Sequence, residues 1–356
     1  MSKNISILTD KAIELLKELI ATPSFSKEEN ETAEILCNFF ASLDVVYSRV
    51  GNNVYAKSKY YDASKPSVLL NSHHDTVKPN AKYTRDPFEP KVEDGKLYGL
   101  GSNDAGGCLV SLIATFLYYY DRTDLNHNVV FAASAEEEIS GVNGIELVLP
   151  YLGNIDFGIV GEPTKMDMAV AERGLMVIDC IANGKAGHAA RNEGVNAVYI
   201  ALDDINWIRN CKFEKVSPLL GESRMTVTVI GTENQQHNVV PPQCKFVIDV
   251  RVNELYTFDE MLALLKDNIK SQFKPRTTRM KPTSIAMDHP LVKAGLELNR
   301  GYYGSPTTSD KALMPFPTLK MGPGDSARSH TADEFIYLDE IKSGIEMYIQ
   351  LLNKVI

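Results

Sequence analysis

Short apolar runs alternate with helical patterns from the start of the chain to about Pro163. The runs SVLL, NVVFAAS and DFGIV have the length and composition of buried strands, whereas GGCLVSLIATFLYYY and roughly the first thirty residues follow a helical pattern. Strands that alternate with helices form parallel sheets whose faces those helices cover. We therefore predict an α/β fold with a mixed, mostly parallel sheet flanked by helices.

The pattern changes near Arg173. Apolar and polar residues alternate in LMVIDCIANGKAG, SRMTVTVIGT, CKFVIDVRV and TRMKPTSIAM, and helical spacing is found in VNAVYIALDDINWIRN and TFDEMLALLKDNIKSQF. The order strand-helix-strand-strand-helix-strand is that of a split, ferredoxin-like α+β unit. We predict that residues 174–284 form this unit and that it is inserted into a larger domain made of residues 1–173 and 285–356.

Composition disfavours several classes of protein. The chain of 356 residues has a net charge of -9, so a basic surface for nucleic acid or anionic lipid is not expected. The cysteines are scattered and never form a Cys-x-x-Cys pair, which argues against a disulfide framework and fits a reducing cytoplasm. In place of a targeting signal, LTDKAIELLKELI predicts an amphipathic helix with Thr9 or Asp10 as its N-cap. No apolar run is long enough to span a membrane, so we expect a soluble, cytoplasmic protein.

Acidic residues and histidines follow the predicted strands of the larger domain. SHHD comes after SVLLN, SAEEE after NVVFAA and VGEP after FGI, while GLGSNDAGG precedes the long helix and SARSHTADE lies in the C-terminal segment. Ligands gather at the carboxyl ends of strands in open parallel sheets. Carboxylates brought so close repel one another unless cations neutralise them. Nitrogen and oxygen ligands without sulfur suit zinc, and cobalt or manganese almost as well.

Each motif alone has an ordinary structural explanation. A single histidine after a strand, such as His73, is more often a turn residue than a ligand. A run of acids is more often the solvated start of a helix. GSNDAGG lacks the Lys-Ser/Thr pair of a phosphate-binding loop. The order and joint placement of the five motifs nevertheless favour a metal site.

Together the five motifs resemble those of the di-zinc metallopeptidase and deacylase family that contains acetylornithine deacetylase, succinyl-diaminopimelate desuccinylase, aminoacylase-1 and glutamate carboxypeptidases. The resemblance covers essentially the whole chain, including the inserted unit. It implies a zinc exopeptidase-like catalytic domain and an inserted dimerisation domain. It also implies an enzyme that hydrolyses an amide bond to a carboxylate and a free amine.

The resemblance assigns a metal ligand to each motif. It places one zinc ion on His73 and Glu162. It places a second on Glu138 and His330, with Asp104 bridging the two. In the family a cis peptide bond follows the bridging aspartate. Cobalt is the expected substitute for zinc.

Other residues match roles in the reaction. Asp75 is expected to hydrogen-bond the second ring nitrogen of His73, whereas His74 points the other way along an extended segment and is not counted as a ligand. Glu137 matches the general base that takes a proton from water and returns it to the departing amine. His188 matches a histidine that stabilises the oxyanion in the opposite subunit's active site, which implies a homodimer.

Substrate contacts are carried over in the same way. Arg251 matches an arginine that binds the substrate carboxylate, and Asn238 matches an accompanying asparagine of the lid. The loop GSPTTSD, with Thr308, Ser309 and Asp310, resembles a loop near the substrate. From the residues alone, Arg251 is more simply explained as a surface strand residue, and His188 as part of an ordinary polar turn.

Two departures from the family pattern bear on substrate choice. The bridging loop has Leu100 and Gly106 or Gly107 where basic residues are common, and the acidic motif begins with Glu136 in place of aspartate. The expected substrate is an N-acyl amino acid, with N-acetylornithine or N-succinylornithine first, giving ornithine in arginine biosynthesis. Succinyl-diaminopimelate desuccinylase and a dipeptidase or carboxypeptidase are alternatives. A non-catalytic binding protein is disfavoured because all five ligands and the base are present.

Overall fold

The structure, a computed structural model, describes residues 4–191 and 193–356. The chain divides into two compact units. The first unit runs to Val170 and includes Ile285–Tyr303 and Ser309–Ile356. The second unit comprises Ala171–Ser284 and Gly304–Thr308.

The α-helices are, in chain order, α1 (Ile5–Ile20), α2 (Asn30–Ser42), α3 (Gly107–Tyr119), α4 (Ile145–Leu152), α5 (Ala197–Asn210), α6 (Phe258–Asn268), α7 (Pro290–Glu297) and α8 (Leu338–Leu352). The strands are β1 (Tyr47–Val50), β2 (Asn53–Lys57), β3 (Ser67–His73), β4 (Lys91–Glu93), β5 (Lys96–Tyr98), β6 (Asn128–Ser134), β7 (Ile155–Val160), β8 (Met168–Glu172), β9 (Gly174–Asn183), β10 (Gly187–His188), β11 (Arg224–Gly231), β12 (Val239–Val240), β13 (Gln243–Val252), β14 (Gln272–Pro275), β15 (Thr283–Ser284), β16 (Tyr302–Ser305), β17 (Thr318–Lys320) and β18 (Phe335–Tyr337).

The main sheet of the first unit is mixed, with parallel strands at its centre. Its strand order is β1-β2-β6-β3-β7-β17-β8, and β6, β3, β7 and β17 run parallel to one another. Every residue of β3 and β6 is buried, as expected for strands covered on both faces. The apolar helix α3 packs on both of these strands, and α1 and α8 pack on α3. The predicted mixed, mostly parallel sheet with flanking helices is confirmed.

The first helix starts earlier than the sequence indicates. The side chain of Asn4 caps α1 by accepting a hydrogen bond from the Ser6 amide at 2.9 Å. The predicted N-cap at Thr9 or Asp10 is therefore wrong: the Thr9 hydroxyl lies within α1 and donates to the Ile5 carbonyl at 2.9 Å. Residues between α1 and α2 are also not helical, although the sequence pattern extends the helical region through them. Pro23 lies in this break, where it would interrupt an α-helix.

The second unit has the predicted ferredoxin-like topology. Its four-stranded antiparallel sheet has the order β11-β13-β9-β14, and helices α5 and α6 supply apolar residues to the core on this sheet. One predicted strand was wrong. The segment 278–287 does not close this sheet, and only its residues Thr283 and Ser284 form a strand, β15, which pairs with Ala171 and Glu172 of β8. The fourth strand of the sheet is β14, whose first two residues lie in the segment predicted to be helical.

The buried carboxylate of Asp204 explains this difference. Asp204 lies on α5 and accepts hydrogen bonds from the Lys270 and Ser271 amides, each at 2.9 Å. These amides would otherwise bond to carbonyls of α6, so the helix ends at Asn268 and the chain turns into β14.

Across the two described stretches, 4–191 and 193–356, no helix combines the length and the apolar character that a membrane crossing requires.

Candidate metal centre

His73 ends the central strand β3 of the first unit. The β3–β6 pairing sets it opposite Ser134, at the carboxyl edge of the parallel strands. The ring is 1% exposed, and its Nδ1 lies 2.9 Å from the Asp75 carbonyl oxygen and 3.3 Å from Asp75 Oδ1. Its Nε2 is buried and has no hydrogen-bond partner, although it faces carboxylate oxygens. A ring nitrogen held this way has its lone pair available for a cation.

The carboxylate of Asp104 faces two histidines from distant parts of the chain. Its Oδ1 lies 3.5 Å from His73 Nε2, and its Oδ2 lies 3.6 Å from His330 Nε2. Asp104 belongs to a loop that enters α3, and the peptide bond between Asp104 and Ala105 is cis. Each oxygen of this carboxylate is thus directed to a different imidazole, as a bridging ligand requires.

Two further carboxylates complete the two ends of the site. Glu162, just after β7, has its Oε1 3.8 Å from His73 Nε2. Glu138 has its two carboxylate oxygens 3.1 and 3.3 Å from His330 Nε2. His330 adopts a left-handed backbone conformation, and its side chain is 54% exposed, so one end of the site is open and the His73 end is buried.

The donor set fits divalent metal ions. Ligand atoms of His73, Asp104 and Glu138 lie within 4.8 Å of one another, as do those of His73, Glu137 and Glu162. Buried carboxylates at such distances repel one another in the absence of a cation. The unpartnered Nε2 of His73 points into the same group. Imidazole and carboxylate ligands without sulfur suit zinc or a similar divalent metal.

The electrostatics of the site favour positive charge. Burial raises the pKa of Glu137 well above its usual range; Glu162, Asp310 and Glu138 add to the rise, and His73 opposes it. Hydrogen bonding to Glu138 raises the pKa of His330 to about 9. Acidic groups near each of these side chains therefore stabilise an added proton or cation.

Asp75 holds both the histidine and the acidic loop. Beyond its contact with His73, its Oδ1 accepts a hydrogen bond from the Glu137 amide at 3.0 Å. Its Oδ2 accepts from the Glu138 amide at 3.2 Å and from the Ser26 hydroxyl at 2.7 Å. The aspartate therefore fixes the backbone of the predicted base and of a predicted ligand.

The neighbours of these residues have structural partners of their own. His74 is buried, with Nδ1 2.9 Å from the Thr32 hydroxyl and Nε2 2.9 Å from the Asn52 carbonyl, so both ring nitrogens face groups away from the site. The side chain of Glu136 accepts a hydrogen bond from the Asn143 side chain at 2.9 Å. Glu136, which departs from the family pattern, thus stabilises the loop between itself and Asn143.

Two buried carboxylates near the site were given no metal-binding or catalytic role from the sequence, although Asp310 belongs to the loop predicted to lie near the substrate. Asp310 accepts a 2.5 Å hydrogen bond from the Ser134 hydroxyl, and burial raises its pKa to about 6. Glu334 accepts hydrogen bonds from backbone amides of the Asp104 loop, and burial raises its pKa to about 8. The signal for Glu334 was its place four residues after His330, in the motif SARSHTADE.

The second unit brings two of the predicted residues together. His188 ends β10, where it pairs with Val239 of β12, and the Ala189 amide donates to the Asn238 carbonyl at 3.0 Å. His188 and Asn238 are both exposed. They are thus neighbours on one surface of this unit.

Arg251, on β13, lies among other arginines of the second unit. Its Nε and Nη2 donate to Asp249 at 2.8 and 3.1 Å. Arg224 is its direct partner on β11, and both arginines lower the pKa of Arg173 in addition to the effect of burial. Arg173 was not among the site residues predicted from the sequence, where it marked only a domain boundary.

The predicted substrate loop divides between the two units. The Thr308 hydroxyl donates to the Arg173 carbonyl at 2.8 Å within the second unit. Ser309 is buried in the first unit and directly precedes the short helix that begins at Asp310.

Comparison with known proteins gives consistent matches. Residues 69–354 match the protein family described as Peptidase family M20/M25/M40. Succinyl-diaminopimelate desuccinylase from Orientia tsutsugamushi is 26% identical over 370 residues, which cover 96% of this chain and 95% of that protein. Acetylornithine deacetylase from Shigella sonnei is 27% identical over 373 residues, covering 96% of this chain and 97% of that protein. The crystal structure of a dinuclear metal-binding peptidase from Bacillus subtilis has the same fold, with a TM-score of 0.72 at 15% identity over 98% of this chain and all of that one.

Proposed function

The chain belongs to peptidase family M20/M25/M40, whose members hydrolyse amide bonds, and from this premise we propose that it removes the acyl group from an N-acyl amino acid. The observation that carries the proposal is the Asp104 carboxylate, which directs one oxygen to His73 and the other to His330. This geometry supports a centre for two metal ions, and amide hydrolysis is a reaction that such centres catalyse.

Two zinc ions are the proposed occupants, with cobalt as a substitute. His73 and Glu162 would hold one ion, and Glu138 and His330 the other. Asp104 would contribute an oxygen to each. When bound, the ions would lower the pKa of a water molecule and polarise the scissile carbonyl.

Glu137 is the proposed general base. Its amide is fixed by Asp75 at 3.0 Å, and its carboxyl group is held among other acids. Burial, with a further contribution from these acids, raises the pKa of Glu137, so the carboxylate accepts a proton from the attacking water readily. The same group then delivers the proton to the nitrogen of the departing amine, and the C–N bond breaks to give a carboxylate and a free amine.

The remaining predicted residues are proposed to bind substrate. From the family resemblance, Arg251 is proposed to bind the α-carboxylate of the substrate. His188 is proposed to stabilise the oxyanion in the active site of the opposite subunit of a homodimer. Asn238, Thr308 and Ser309 are proposed to line the substrate. The pairing of Arg251 with Asp249 orients the guanidinium and leaves Nη1 for a ligand.

N-acetylornithine or N-succinylornithine is the first candidate substrate, with ornithine as the product. The arginines of the second unit favour a second candidate, a succinylated substrate such as N-succinyl-diaminopimelate. Arg224 and Arg251 are directly opposite on neighbouring strands, where like charges repel, and Arg173 is close to both. Asp249 accepts hydrogen bonds from Arg251, and Glu254 opposes the lowering of the Arg173 pKa. A substrate with more than one carboxylate would relieve the repulsion between the arginines.

Free-amine release is the test of the proposed reaction. Purified protein loaded with zinc or cobalt is given N-acetylornithine, N-succinylornithine, N-succinyl-diaminopimelate, N-acetylmethionine and a set of dipeptides. One N-acyl amino acid turned over far faster than the dipeptides supports the proposal. Preference for dipeptides would replace it with the peptidase alternative, and no release from any substrate with two metals bound would contradict it.

Arg224→Gln distinguishes the two candidate substrates. If the arginines bind a second carboxylate, this variant should raise the KM for succinylated substrates about tenfold or more and leave the KM for N-acetylornithine within twofold, because a charge-assisted hydrogen bond is lost only with the former. Lys212→Gln, a charge-neutralising change at an exposed position of the same unit, is the control.

A further inference from the structure

Glu334 binds three backbone amides of the loop that carries Asp104. Its Oε1 accepts hydrogen bonds from the Asn103 amide at 2.8 Å and the Asp104 amide at 2.9 Å. Its Oε2 accepts from the Gly101 amide at 3.2 Å. The side chain is almost wholly buried, with the residue 2% exposed. One carboxylate therefore satisfies most of the amides of a short irregular segment.

The loop depends on this carboxylate because its own backbone offers few acceptors. Gly101 has a φ of 75°, and an added Cβ there would lie 2.6 Å from Thr76 Cγ2. This tight, left-handed turn points the Gly101 and Asn103 amides away from the carbonyls that a regular helix would provide. A buried amide without an acceptor costs about 1–3 kcal/mol, so removal of the Glu334 carboxylate leaves unsatisfied amides next to Asp104 and destabilises this segment.

The same C-terminal segment carries His330. Asn103 connects the two segments a second time, since its side chain accepts from the Asp325 amide at 3.0 Å and donates to the Asp325 carbonyl at 3.1 Å. The segment that supplies one proposed ligand thus also holds the loop that supplies another. The relative position of Asp104 and His330 is set by these hydrogen bonds.

We propose that Glu334 is a positioning residue of the metal centre, which holds Asp104 so that its two oxygens face His73 and His330. The inference rests on the proposed function in that it takes Asp104 as a metal ligand. A carboxylate that only stabilised the fold would contribute to unfolding free energy and leave metal affinity unchanged. A positioning residue changes metal affinity in protein that remains folded, since the supporting contacts of metal ligands typically contribute about 10–100-fold.

The experiment measures zinc binding by metal-free protein in competition with a chelating dye. The variants are Glu334→Gln and Glu334→Ala. Glutamine keeps an oxygen for the Asn103 and Asp104 amides but places an amide donor against the Gly101 amide, so its effect should be the smaller one. We expect Glu334→Gln to bind at least one zinc ion about 10-fold more weakly, and Glu334→Ala about 100-fold more weakly. At saturating zinc, kcat should fall and KM should stay within about twofold.

Asp333→Asn is the matched control. Asp333 is the adjacent acid in the chain, but it accepts hydrogen bonds from the Thr84 and Arg85 amides at 2.9 and 3.0 Å. Asparagine keeps these bonds and tolerates the left-handed conformation, with a φ of 54°, that this position adopts. The zinc affinity of Asp333→Asn should remain within twofold of that of the natural protein.

Far-UV circular dichroism of each metal-free variant separates folding from metal binding. Folded Glu334→Gln with unchanged zinc affinity and kcat overturns the proposal, as does an equal loss in Asp333→Asn. Should Glu334→Ala fail to fold, Glu334→Gln alone decides. If the natural protein binds no zinc at all, the proposed function fails first and this inference fails with it.

Discussion

The carboxylate of Asp75 sets the position of three groups at once. It lies against His73 and accepts hydrogen bonds from the amides of Glu137 and Glu138. A ligand of one proposed metal, a ligand of the other and the proposed base therefore share one support. At the scale of single residues, a change in the position of Asp75 is therefore expected to affect all three groups.

The proposed base gives the most direct prediction at this scale. Glu137→Gln keeps the shape of the side chain but cannot accept a proton, so kcat should fall about 10²–10⁴-fold. Metal content, measured by elemental analysis, should be unchanged because Glu137 is not a proposed ligand. Glu28→Gln, on the exposed surface of the same unit, serves as the control. A Glu137→Gln variant with full activity would remove the base from the mechanism.

The raised pKa of Asp310 leads to a prediction of how the stability of the protein depends on pH. Its pKa in the folded protein is about 6, against an ordinary value of 3.8, chiefly because it is buried. Below the unfolded-state pKa the carboxyl group is neutral in both states, and the protein is at its most stable with respect to this group. As pH rises through the folded-state pKa, this stability is lost because burial penalises the ionised carboxylate. Asp310→Asn, which cannot ionise, should therefore gain stability relative to the natural protein by on the order of 2 kcal/mol between pH 4 and 7.5.

Thermal unfolding of both proteins, with metal removed by a chelator, measures this difference. The difference in Tm should widen in favour of Asp310→Asn as pH increases. A constant difference across this range would show that Asp310 does not ionise in it.

Residue types and their order were enough to nominate the histidines and carboxylates of the site. They could not reveal which backbone amides each carboxylate holds. Asp75 and Glu137 are 62 residues apart, and Glu334 and Asp104 are 230 apart. Contacts of this kind arise from tertiary packing. The motif SARSHTADE could have nominated Glu334, but the amides that Glu334 holds and the arginines near Arg173 were found only in the structure.

At the scale of elements, hydrophobic periodicity located most helices and the buried strands, since β3, β6 and β7 each contain a short apolar run. It failed where a contact from another element competes with local preference. The end of α6 is the clearest case, because Asp204 of α5 takes the amides of Lys270 and Ser271. The predicted start of α1 was wrong for a different reason. Asparagine is also a common N-cap residue, and the sequence pattern gave no reason to prefer Asn4 to Thr9 or Asp10.

Asp204→Ala tests this account of β14. The change leaves the Lys270 and Ser271 amides and the Ser271 hydroxyl without their acceptor, so the free energy of unfolding should fall by about 2–3 kcal/mol. Urea denaturation measures the loss. Asp203→Ala, an exposed neighbour on the same helix, should stay within about 0.5 kcal/mol of the natural protein. Equal effects of the two substitutions would contradict the assignment.

At the scale of the whole molecule, the second unit has a surface that suits the proposed homodimer. Strand β11 lies at the edge of the four-stranded sheet, and its Val229 and Ile230 are 58% and 50% exposed. An edge strand with exposed apolar side chains is a site for pairing with another chain. The sequence itself implied a dimer only through family resemblance, because no periodicity distinguishes an interface from an ordinary surface.

Analytical ultracentrifugation tests this assembly. The natural protein should sediment as a dimer, and Val229→Glu with Ile230→Glu should shift it toward monomer because charges would be buried at the interface. Val216→Glu, at a position 53% exposed in the same unit, should have no effect. A natural protein that is monomeric at all concentrations would rule out the dimer and, with it, the proposed role of His188 across subunits.

The wide separation of His73 and His330 in the chain has a consequence for synthesis. The ribosome releases the segments that bear His73, Asp104 and Glu162 long before it reaches His330 and Glu334. A growing chain can therefore present a half-formed cation site, rich in carboxylates, with its second imidazole still untranslated. With the proposed ligand set, the chain becomes competent for hydrolysis only after the segment that carries His330 has been made.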